Sequence, residues 1–525
     1  MERLIEDLLG PEAYPHRPER IELRQTHISW VFLAGELVYK IKKPVDFGFL
    51  DFTTLEKRKH FCEREVVLNR RLCPDIYLGV VPVVKTTDGF RFEGEGEVVE
   101  WAVKMRRLPE EGMMSRLIRE GALTRNHLEL LVQKLVPFYQ EAETGPEVNR
   151  YGSLETVRFN VEENFEQTRD FVGKALSRLR YEYIVSWSRR FMEENQALFS
   201  ARIEGGFIRD GHGDLYSANV CYDDLREVYV FDCIEFNERF RCGDVAQDLA
   251  FLSMDLDFHG LEDFSRFFIE RYVELSNDRR LYDILDFYKC YRAYVRGKIG
   301  CFTWASEGVP QEEREAALTA ARRYFDLAYR YAGGKPFLIV VFGLSGTGKS
   351  VLGRTLYAEL LAEYYNSDVV RKELAGLLPS EHRYEPFEKG LYAPEMTERT
   401  YEELLRRAEA SLTSGRDVVL DATYRKRAHR ETLLQLARKL EVPILFILCE
   451  APAEVIRERL ERRAQEAEEP SDGRWEIYLA QKKRFEAPGE IPPENLLRLE
   501  TTEPPKNLAE KVKTRLFECL RLFGK

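Results

Sequence analysis

The sequence has no long apolar run and no regular spacing of cysteines. None of its uninterrupted apolar stretches approaches the roughly 20 residues that a membrane-spanning helix requires, and residues 1–7 are amphipathic and acidic rather than signal-like. The nine cysteines include no C-x-x-C pair and no Cys/His spacing typical of zinc ligands, so we expect neither a disulfide framework nor a zinc site. We therefore expect a cytoplasmic protein with no membrane partner.

The chain also lacks an excess of positive charge, because 79 lysines and arginines stand against 90 aspartates and glutamates, for a formal net charge of −11. This balance disfavours non-specific binding to nucleic acid, so a polyanion would need a local basic groove. Low-complexity tracts and internal repeats are absent, and a composition of 44% hydrophobic and 32% charged residues is typical of a globular protein. A chain of 525 residues is too long for one hydrophobic core, and we predict two domains.

The most specific pattern is an apolar strand that runs into G-x-x-x-x-G-K-S, the phosphate-binding P-loop pattern. Its glycines let backbone N–H groups surround phosphates, its lysine neutralises the β and γ oxygens, and its serine can hold Mg²⁺. A helical pattern follows at residues 351–361. We predict a site for ATP, with GTP as the alternative donor, and for Mg²⁺, formed by Gly343, Ser345, Gly346, Thr347, Gly348, Lys349 and Ser350.

The chain changes character at residues 333–336, where two glycines and a proline predict a linker. Before it, two β-type runs, one helix (55–72) and two further β-type runs give way to helical patterns from about residue 116. After it, strands at 337–342, 417–420 and 443–448 alternate with helices, which predicts a doubly wound α/β domain with a parallel sheet. We place the domains at 1–333 (N-lobe about 15–108, helical C-lobe about 109–333) and 334–525.

A second constellation lies in the middle of the chain, where R-D-G-H-G-D-L-Y-S-A-N at residues 209–219 precedes an apolar strand predicted to end in Asp232. Asn219 follows Asp214 by five positions, and Asp232 follows Asn219 by thirteen. Over residues 15–330 the chain resembles the aminoglycoside/choline phosphotransferase branch of the eukaryotic-like kinases. The resemblance implies a bilobal protein-kinase-like fold, an α+β arrangement, in this half of the chain.

The resemblance also implies a role for each matched residue. Asp214 would accept the proton of the acceptor hydroxyl, while Asn219 and Asp232 would hold Mg²⁺. Lys40 and Glu65 would form the phosphate-binding pair, with Lys42 and Glu63 as the alternatives, and His212 and Asp248 would support the loop. The acidic stretch that follows would attract an amine or consist of surface carboxylates: Glu235, Glu238, Asp244, Asp255 and Asp257.

Two further segments accompany the P-loop, N-S-D-V-V-R-K-E-L-A-G at residues 366–376 and D-V-V-L-D-A-T at residues 417–423. With the P-loop they resemble the zeta-toxin and polynucleotide-kinase-like group of P-loop kinases. The resemblance implies that Asp368 meets the acceptor hydroxyl and that Arg371 steadies acceptor or phosphates. Asp421 closes an apolar strand, where it could order a magnesium-bound water. Arg459 and Arg463 lie four apart on one helix face and resemble the lid arginines that clamp a transferring phosphate.

These patterns predict a bifunctional ATP-dependent kinase with two separate ATP–Mg²⁺ sites. The acceptors would be the hydroxyl groups of small molecules such as a sugar, an aminoglycoside or a nucleoside; no oligomeric state is predicted. One alternative is that the C-terminal domain phosphorylates the 5′-hydroxyl end of a nucleic acid. Another is that the N-terminal domain only senses nucleotide and regulates the P-loop kinase, because no G-x-G-x-x-G lies between its first strands.

Overall fold

The computed structural model describes residues 2–378, 390–463 and 474–523. The chain forms two compact units, Met1–Asn164 with Arg189–Arg296, and Phe165–Ser188 with Gly297–Lys525. The limits of these units fall inside helices, whereas the predicted limits at 333 and 334 follow the glycine- and proline-containing segment at residues 333–336, and they stay a prediction. None of the described helices combines the length and the apolar character needed to cross a membrane.

The first unit begins with a six-stranded antiparallel sheet in the order β1-β2-β3-β6-β4-β5. Helix α1 packs against one face of this sheet, and helix α2 packs across β4 and β6. The bounds, in chain order, are α1 Glu2–Leu8, β1 Ile21–Gln25, β2 Ser29–Ala34, β3 Leu37–Lys42, α2 Leu55–Asn69, β4 Tyr77–Thr86, β5 Gly89–Phe92 and β6 Glu97–Arg106.

Strand β3 places its residues on the two faces of the sheet in alternation. Tyr39 and Ile41 belong to the core beneath α1, so Lys40 and Lys42 face the other side, toward α2. Helix α2 starts at its N-cap Thr54, whose side chain accepts a hydrogen bond from the helix backbone. The alternation along β3 therefore places two lysines on the face of the sheet that α2 covers.

Three strands lie on each side of α2, although the sequence predicted two. The additional strands β1 and β5 are the edges of the sheet, and β1 reads I-E-L-R-Q with only partial burial, so its charges hid the strand pattern. The predicted fold class is confirmed: an antiparallel sheet with a helical lobe forms the protein-kinase-like half of the chain.

The helical lobe of the first unit carries two short two-stranded sheets that flank the predicted catalytic loop at residues 209–219. Strand β7 pairs with β10 and β8 pairs with β9, all antiparallel. The elements are α3 Met114–Arg119, α4 Arg125–Glu141, α5 Pro146–Asn149, α6 Leu154–Thr168, α7 Arg178–Glu194, α8 Gln196–Glu204, β7 Ile208–Asp210, β8 Val220–Asp223, β9 Glu227–Val230, α9 Glu238–Arg241, β10 Cys242–Asp244, α10 Val245–Phe258, α11 Glu262–Ser276 and α12 Leu281–Ala305. Strand β9 ends two residues before Asp232, so that carboxylate lies on a loop rather than in the predicted strand.

The second unit is built on a five-stranded parallel sheet in the order β12-β13-β11-β14-β15. Strand β11 is buried along its whole length, as expected for the centre of a parallel sheet. The elements are α13 Gln311–Tyr331, β11 Leu338–Phe342, α14 Lys349–Leu360, β12 Glu363–Asn366, α15 Ser367–Leu374, α16 Pro394–Thr413, β13 Val418–Asp421, α17 Arg427–Lys439, β14 Ile444–Glu450, α18 Ala453–Arg463, α19 Trp475–Lys483, β15 Leu496–Glu500 and α20 Pro505–Phe523. The predicted doubly wound P-loop fold is confirmed, and β12 and β15 are the strands that the sequence did not predict.

A buried ion cluster fixes the end of this sheet that lies opposite the P-loop. Arg180, near the start of α7, pairs with Asp417 at 2.8 Å and with Asp326 of α13. The Oδ1 atom of Asp417 also accepts the backbone N–H of Phe337, just before β11. The Arg180 and Asp417 side chains are 8% and 2% exposed, so their ion pair is largely out of reach of water, while Asp326 is 43% exposed. The cluster joins two helices to the central strands.

We predict that Arg180→Ala lowers the free energy of unfolding by about 3–5 kcal/mol, because it leaves the Asp417 carboxylate buried without its charge partner. Arg178→Ala is the matched control, since Arg178 forms an exposed pair with Glu182 on the same helix and should cost under about 1 kcal/mol. Urea titration of the full chain measures both variants. Equal effects of the two substitutions would contradict the role of the cluster.

Candidate active sites

Two lysines of β3 share one carboxylate in the first unit. Lys40 donates to Glu65 Oε1 at 2.9 Å and to Asp232 Oδ1 at 2.6 Å. Lys42 donates to the other oxygen of Glu65, Oε2, at 2.7 Å and also to Glu235. The structure therefore brings together the predicted Lys40, Glu65 and Asp232. It also gives Lys42 and Glu235 a buried pair of their own, which the sequence raised only as an alternative and as part of an acidic stretch.

Charge pairing outweighs burial at Lys40, Lys42 and Glu65, whereas burial raises the pKa of Glu235 above its ordinary value. Burial lowers the pKa of the Lys40 ammonium, but the carboxylates of Asp232 and Glu65 overcome it and hold that pKa well above its ordinary value. Burial likewise raises the pKa of Glu65, and the two lysines bring it below its ordinary value. The alternative partner Glu63 lies on the exposed side of α2, beside Lys59. Both lysines and Glu65 are therefore charged at neutral pH.

The backbone holds Asp232 in an unusual conformation. Its φ of 62° lies in the left-handed region, which is uncommon for a residue with a side chain. Two hydrogen bonds secure the turn: Asp232 N–H donates to Tyr77 Oη at 3.2 Å, and Cys233 N–H donates to Asn69 Oδ1 at 2.9 Å. The carboxylate is thereby turned toward Lys40.

The predicted catalytic loop places Asn219 against Asp214. The Asn219 side-chain amide donates to Asp214 Oδ2 at 2.9 Å and to the Asp214 carbonyl at 3.0 Å. Burial and the nearby charge of Asp232 raise the pKa of Asp214 to about 6. Since a general base works best with a pKa near the operating pH, this environment suits a proton acceptor.

His212 and Asp248 shape the loop around Asp214. The N–H groups of His212 and Gly213 donate to the two Asp248 oxygens at 2.7 and 2.9 Å. Burial lowers the pKa of His212 to about 4, so its ring is neutral. Nδ1 then accepts the Asp214 N–H at 3.3 Å, and Nε2–H donates to the Phe231 carbonyl at 3.0 Å.

The donor set near Asp214 fits Mg²⁺, which prefers carboxylate and amide oxygens. The side-chain nitrogen of Asn219 bonds Asp214, so Oδ1 is the atom of this amide that would bind the ion. Asp232 supplies a carboxylate that is 46% exposed although it bonds Lys40. These two residues, both predicted as metal ligands, are the ones that would hold the ion.

Most carboxylates of the acidic stretch have partners inside the fold. Asp244 pairs with buried Arg202, Asp255 accepts the Ser217 N–H, and Asp257 pairs with Lys289. Glu235 pairs with Lys42, so only Glu238 is an exposed carboxylate, and it accepts a hydrogen bond from Tyr151. Four of the five carboxylates make their contacts inside the fold, so they are not the surface carboxylates of the alternative, and an amine-bearing acceptor stays a prediction.

The P-loop of the second unit follows β11 and opens α14. Gly343, Gly346 and Gly348 all have positive φ, and a Cβ at Gly343 would lie 2.5 Å from the Cys449 carbonyl oxygen. Lys349 Nζ donates to the Leu344 carbonyl within the loop at 2.8 Å. Further bonds from the loop shape the cradle: Ser345 N–H to Gln481 Oε1 and Thr347 Oγ1 to Leu344 O. Ser350 follows in the first turn of α14.

Two predicted carboxylates lie at the ends of neighbouring strands beside this loop. Asp421 closes β13, which pairs with β11, and its Oδ2 accepts hydrogen bonds from Tyr364 and Asn366, both at 2.7 Å. Asp368 lies in the first turn of α15 and pairs with Arg371 at 2.6 Å. The carboxyl ends of parallel strands meet at one sheet edge, so the predicted residues share the edge that carries the P-loop.

A cavity of about 340 Å³ adjoins the P-loop glycines. Arg459 forms part of its wall and donates to Thr501 Oγ1 at 2.9 Å, while Thr501 donates to the Thr347 carbonyl at 2.7 Å. The side chain of Arg463, the other predicted lid arginine, lies outside the described residues. The sequence did not point to Thr501 or to Arg354 in this wall, because Thr501 follows the unpredicted strand β15 and Arg354 lies in an ordinary helical pattern.

We predict that Gly343→Ala weakens nucleotide binding at the P-loop by about 10-fold to 100-fold, since a side chain is strained at φ 137° and meets the Cys449 carbonyl. Gly489→Ala is the control, because a Cβ there meets nothing within 4 Å. The affinity is measured by titration with a fluorescent ATP analogue. An Asp232→Asn background removes the contribution of the first centre. Unchanged affinity in Gly343→Ala would contradict the assignment.

Comparison with known proteins places the chain in a family. Residues 338–488 match a family model described as an AAA domain. Among solved structures, a choline/ethanolamine kinase family protein from Mesorhizobium loti (11% identity, 61% of this chain and 95% of that one) has a TM-score of 0.37. A sugar kinase from a Janibacter species (20% identity, 36% of this chain and 99% of that one) has a TM-score of 0.25. The fold assignment rests on strand order rather than on these two similarities.

Two mycobacterial relatives match across most of the chain. The uncharacterized protein Rv2004c of Mycobacterium tuberculosis is 32% identical over 459 residues, which are 86% of this chain and 88% of the relative. The uncharacterized protein Mb2027c of Mycobacterium bovis matches to the same extent. The match is long enough to include residues of both units. The chain therefore belongs to the protein family of Rv2004c and Mb2027c.

Proposed function

We propose that the chain is an ATP-dependent phosphotransferase with two separate centres, each of which phosphorylates a hydroxyl group. The observation that carries the proposal is the first centre, where a charged lysine–glutamate pair, two oxygen ligands for Mg²⁺ and a carboxylate base converge. Phosphoryl transfer depends on positioned charge and metal more than on covalent chemistry, so this set is what the reaction requires. No packing requirement explains all of these residues together.

In the first centre Lys40 binds the phosphates of ATP and Glu65 keeps that lysine in place. Asp214 takes the proton of the acceptor hydroxyl on its Oδ1, since Asn219 holds Oδ2. The acceptor oxygen then forms a bond to the γ-phosphorus while the bond to the β–γ bridging oxygen breaks, and ADP leaves. When bound to Asn219 and Asp232, Mg²⁺ supplies charge neutralisation on the phosphate oxygens.

In the second centre the P-loop N–H groups and Lys349 hold the phosphates, and the adjoining cavity takes the base and ribose. Ser350 and Asp421 are placed to hold Mg²⁺ and its water, and GTP is the alternative donor here. Asp368 orients or deprotonates the acceptor, steadied by its ion pair with Arg371. Arg459 lies at the wall of the cavity, where its charge can act on the nucleotide.

The contacts favour small acceptors over a nucleic acid 5′ end at the second centre. The basic segment at residues 425–430, which follows β13, would have to hold a phosphate backbone, yet three of its cations already have acidic partners. Lys426 pairs with Glu398, Arg427 pairs with Glu431, and Arg430 is fully buried against Glu490. Nucleic acid binding that weakens steeply with salt would favour the alternative.

We expect Asp214→Asn and Lys349→Ala each to abolish labelled γ-phosphate transfer to a different acceptor. The loss at the first centre should be about 10²-fold to 10⁴-fold, the usual contribution of a positioned base. The assay presents sugars, aminoglycosides, nucleosides and 5′-hydroxyl oligonucleotides to the full chain and both variants. If only Lys349→Ala affects transfer, the first unit is a nucleotide sensor and the two-centre proposal fails.

The raised pKa of Asp214 predicts the pH dependence of the first centre. With ATP as the varied substrate, kcat/KM should fall as pH decreases through about 6, because protonated Asp214 cannot accept the hydroxyl proton. His212 should not contribute this limb, since its pKa lies near 4. Measurement in the Lys349→Ala background isolates the first centre. A profile flat from pH 5 to pH 8 would contradict the role of Asp214.

A further inference from the structure

One amide side chain of the second unit lies between the two carboxylates that are proposed to act there. Asn366 is the last residue of β12, and in the parallel pairing of β12 with β13 it lies beside Asp421. Asn366 is also the N-cap of α15, the helix whose first turn carries Asp368. The end of a strand and the start of a helix therefore meet at a single residue.

The two ends of this amide bond different partners. Its Nδ2 atom donates to Asp421 Oδ2 at 2.7 Å. Its Oδ1 atom accepts the backbone N–H groups of Asp368 at 2.9 Å and Val369 at 3.2 Å. The orientation of the amide is fixed, because a carboxylate can only accept a hydrogen bond and a backbone N–H can only donate one. The nitrogen therefore serves Asp421, and the oxygen serves the helix that carries Asp368.

Tyr364 supplies a second donor to the same oxygen of Asp421. Its Oη atom donates to Asp421 Oδ2 at 2.7 Å. The Tyr364 ring packs against Gly353 of α14, the helix that opens at the P-loop, where an added Cβ would lie 2.9 Å from Tyr364 Cε2. The direction of the Asp421 carboxylate is therefore set both from its neighbouring strand and by a ring that rests on the P-loop helix.

Asp421 is a buried carboxylate that forms no ion pair with the residues that the structure describes. It is 1% exposed, and its hydrogen bonds within those residues come from the neutral side chains of Tyr364 and Asn366. A buried charge that no ion pair balances favours a bound cation. Both bonds fall on Oδ2, so Oδ1 is the oxygen that would hold Mg²⁺ or its water, in a direction that the two donors fix.

We propose that Asn366 is a positioning residue of the second centre, which orients Asp421 for Mg²⁺ through its nitrogen and places Asp368 for the acceptor through its oxygen. Tyr364 shares the first of these roles. This inference rests on the proposed phosphotransferase activity and adds to it the residues that align the metal carboxylate with the acceptor carboxylate. Neither residue touches the reacting atoms, since both act through a carboxylate.

Three substitutions separate the two roles. Asn366→Ser removes the donor to Asp421 but keeps an oxygen for the cap of α15, because serine caps helices about as well as asparagine. Asn366→Ala removes both the donor and the cap. Tyr364→Phe removes only the second donor to Asp421. Tyr365→Phe is the matched control, since Tyr365 is the next residue of the same strand and bonds Ser411 instead.

The orientation of Asp421 is measured as the gain in affinity that Mg²⁺ gives to a fluorescent ATP analogue. The full chain, in an Asp232→Asn background, is titrated once with Mg²⁺ and once with EDTA. Each variant is its own reference, so a lower folded fraction affects both titrations alike. We expect Asn366→Ser and Tyr364→Phe each to reduce the gain about 10-fold, the usual effect of losing a residue that orients a metal ligand. Tyr365→Phe should leave the gain unchanged.

The placement of Asp368 is measured by transfer of labelled γ-phosphate in an Asp214→Asn background, which silences the first centre. The acceptors are sugars, aminoglycosides, nucleosides and 5′-hydroxyl oligonucleotides. With the best acceptor among them, kcat/KM should be about 10-fold lower in Asn366→Ala than in Asn366→Ser, because only the alanine variant releases the helix turn that carries Asp368.

An unchanged gain from Mg²⁺ in Asn366→Ser, or an equal loss of that gain in Tyr365→Phe, would overturn the role of Asn366 at Asp421. Equal kcat/KM in the serine and alanine variants would overturn its role at Asp368. The phosphotransferase function fails on a different result, namely transfer in the Asp214→Asn background that survives Lys349→Ala. The titrations with Mg²⁺ and EDTA do not depend on any acceptor, so the two failures are distinguishable.

Discussion

The carboxylate of Glu65 binds the ammonium groups of Lys40 and Lys42, one on each oxygen, and the first centre depends on that arrangement. Lys40 in turn bonds Asp232, and Lys42 bonds Glu235. One residue of α2 therefore connects two lysines of β3 to both ends of the segment 232–235. Removing one partner would leave a buried charge uncompensated, at a cost of about 3–5 kcal/mol. The lysine that we propose binds phosphate and the carboxylate that we propose binds metal are thus both joined to Glu65, the carboxylate through Lys40.

In the second unit, phosphate binding depends on backbone N–H groups more than on side-chain charge. Its P-loop surrounds phosphate with N–H groups, which is possible because glycines accept positive φ where a side chain would meet the Cys449 carbonyl. At the opposite ends of the strands, Arg180, Asp326 and Asp417 join helices to the sheet. The sheet is thereby fixed at the end opposite the P-loop. The other end carries Asp421 and the P-loop.

Much of the fold and of both candidate sites was predictable from the sequence, at the positions where phosphate chemistry constrains the spacing of residues. The P-loop, the Asp214–Asn219–Asp232 spacing, the central parallel strands and the helix that carries Glu65 all leave strong local patterns. The edge strands β1, β5, β12 and β15 do not, because partial burial mixes charged and apolar residues. The pairing of Lys42 with Glu235 and the bond of Tyr364 to Asp421 join residues far apart in sequence, so no local pattern reports them. For the same reason the sequence did not show that three acids of the stretch after Asp232, namely Glu235, Asp244 and Asp257, pair with distant buried cations.

The proposed function requires two independent nucleotide centres in one chain. The number of sites per chain can be counted by equilibrium binding of a non-hydrolysable ATP analogue with Mg²⁺. We expect two sites in the wild type, one in Asp232→Asn, one in Lys349→Ala and none in the double variant. A single site in the wild type that Lys349→Ala removes and Asp232→Asn leaves unchanged would contradict it.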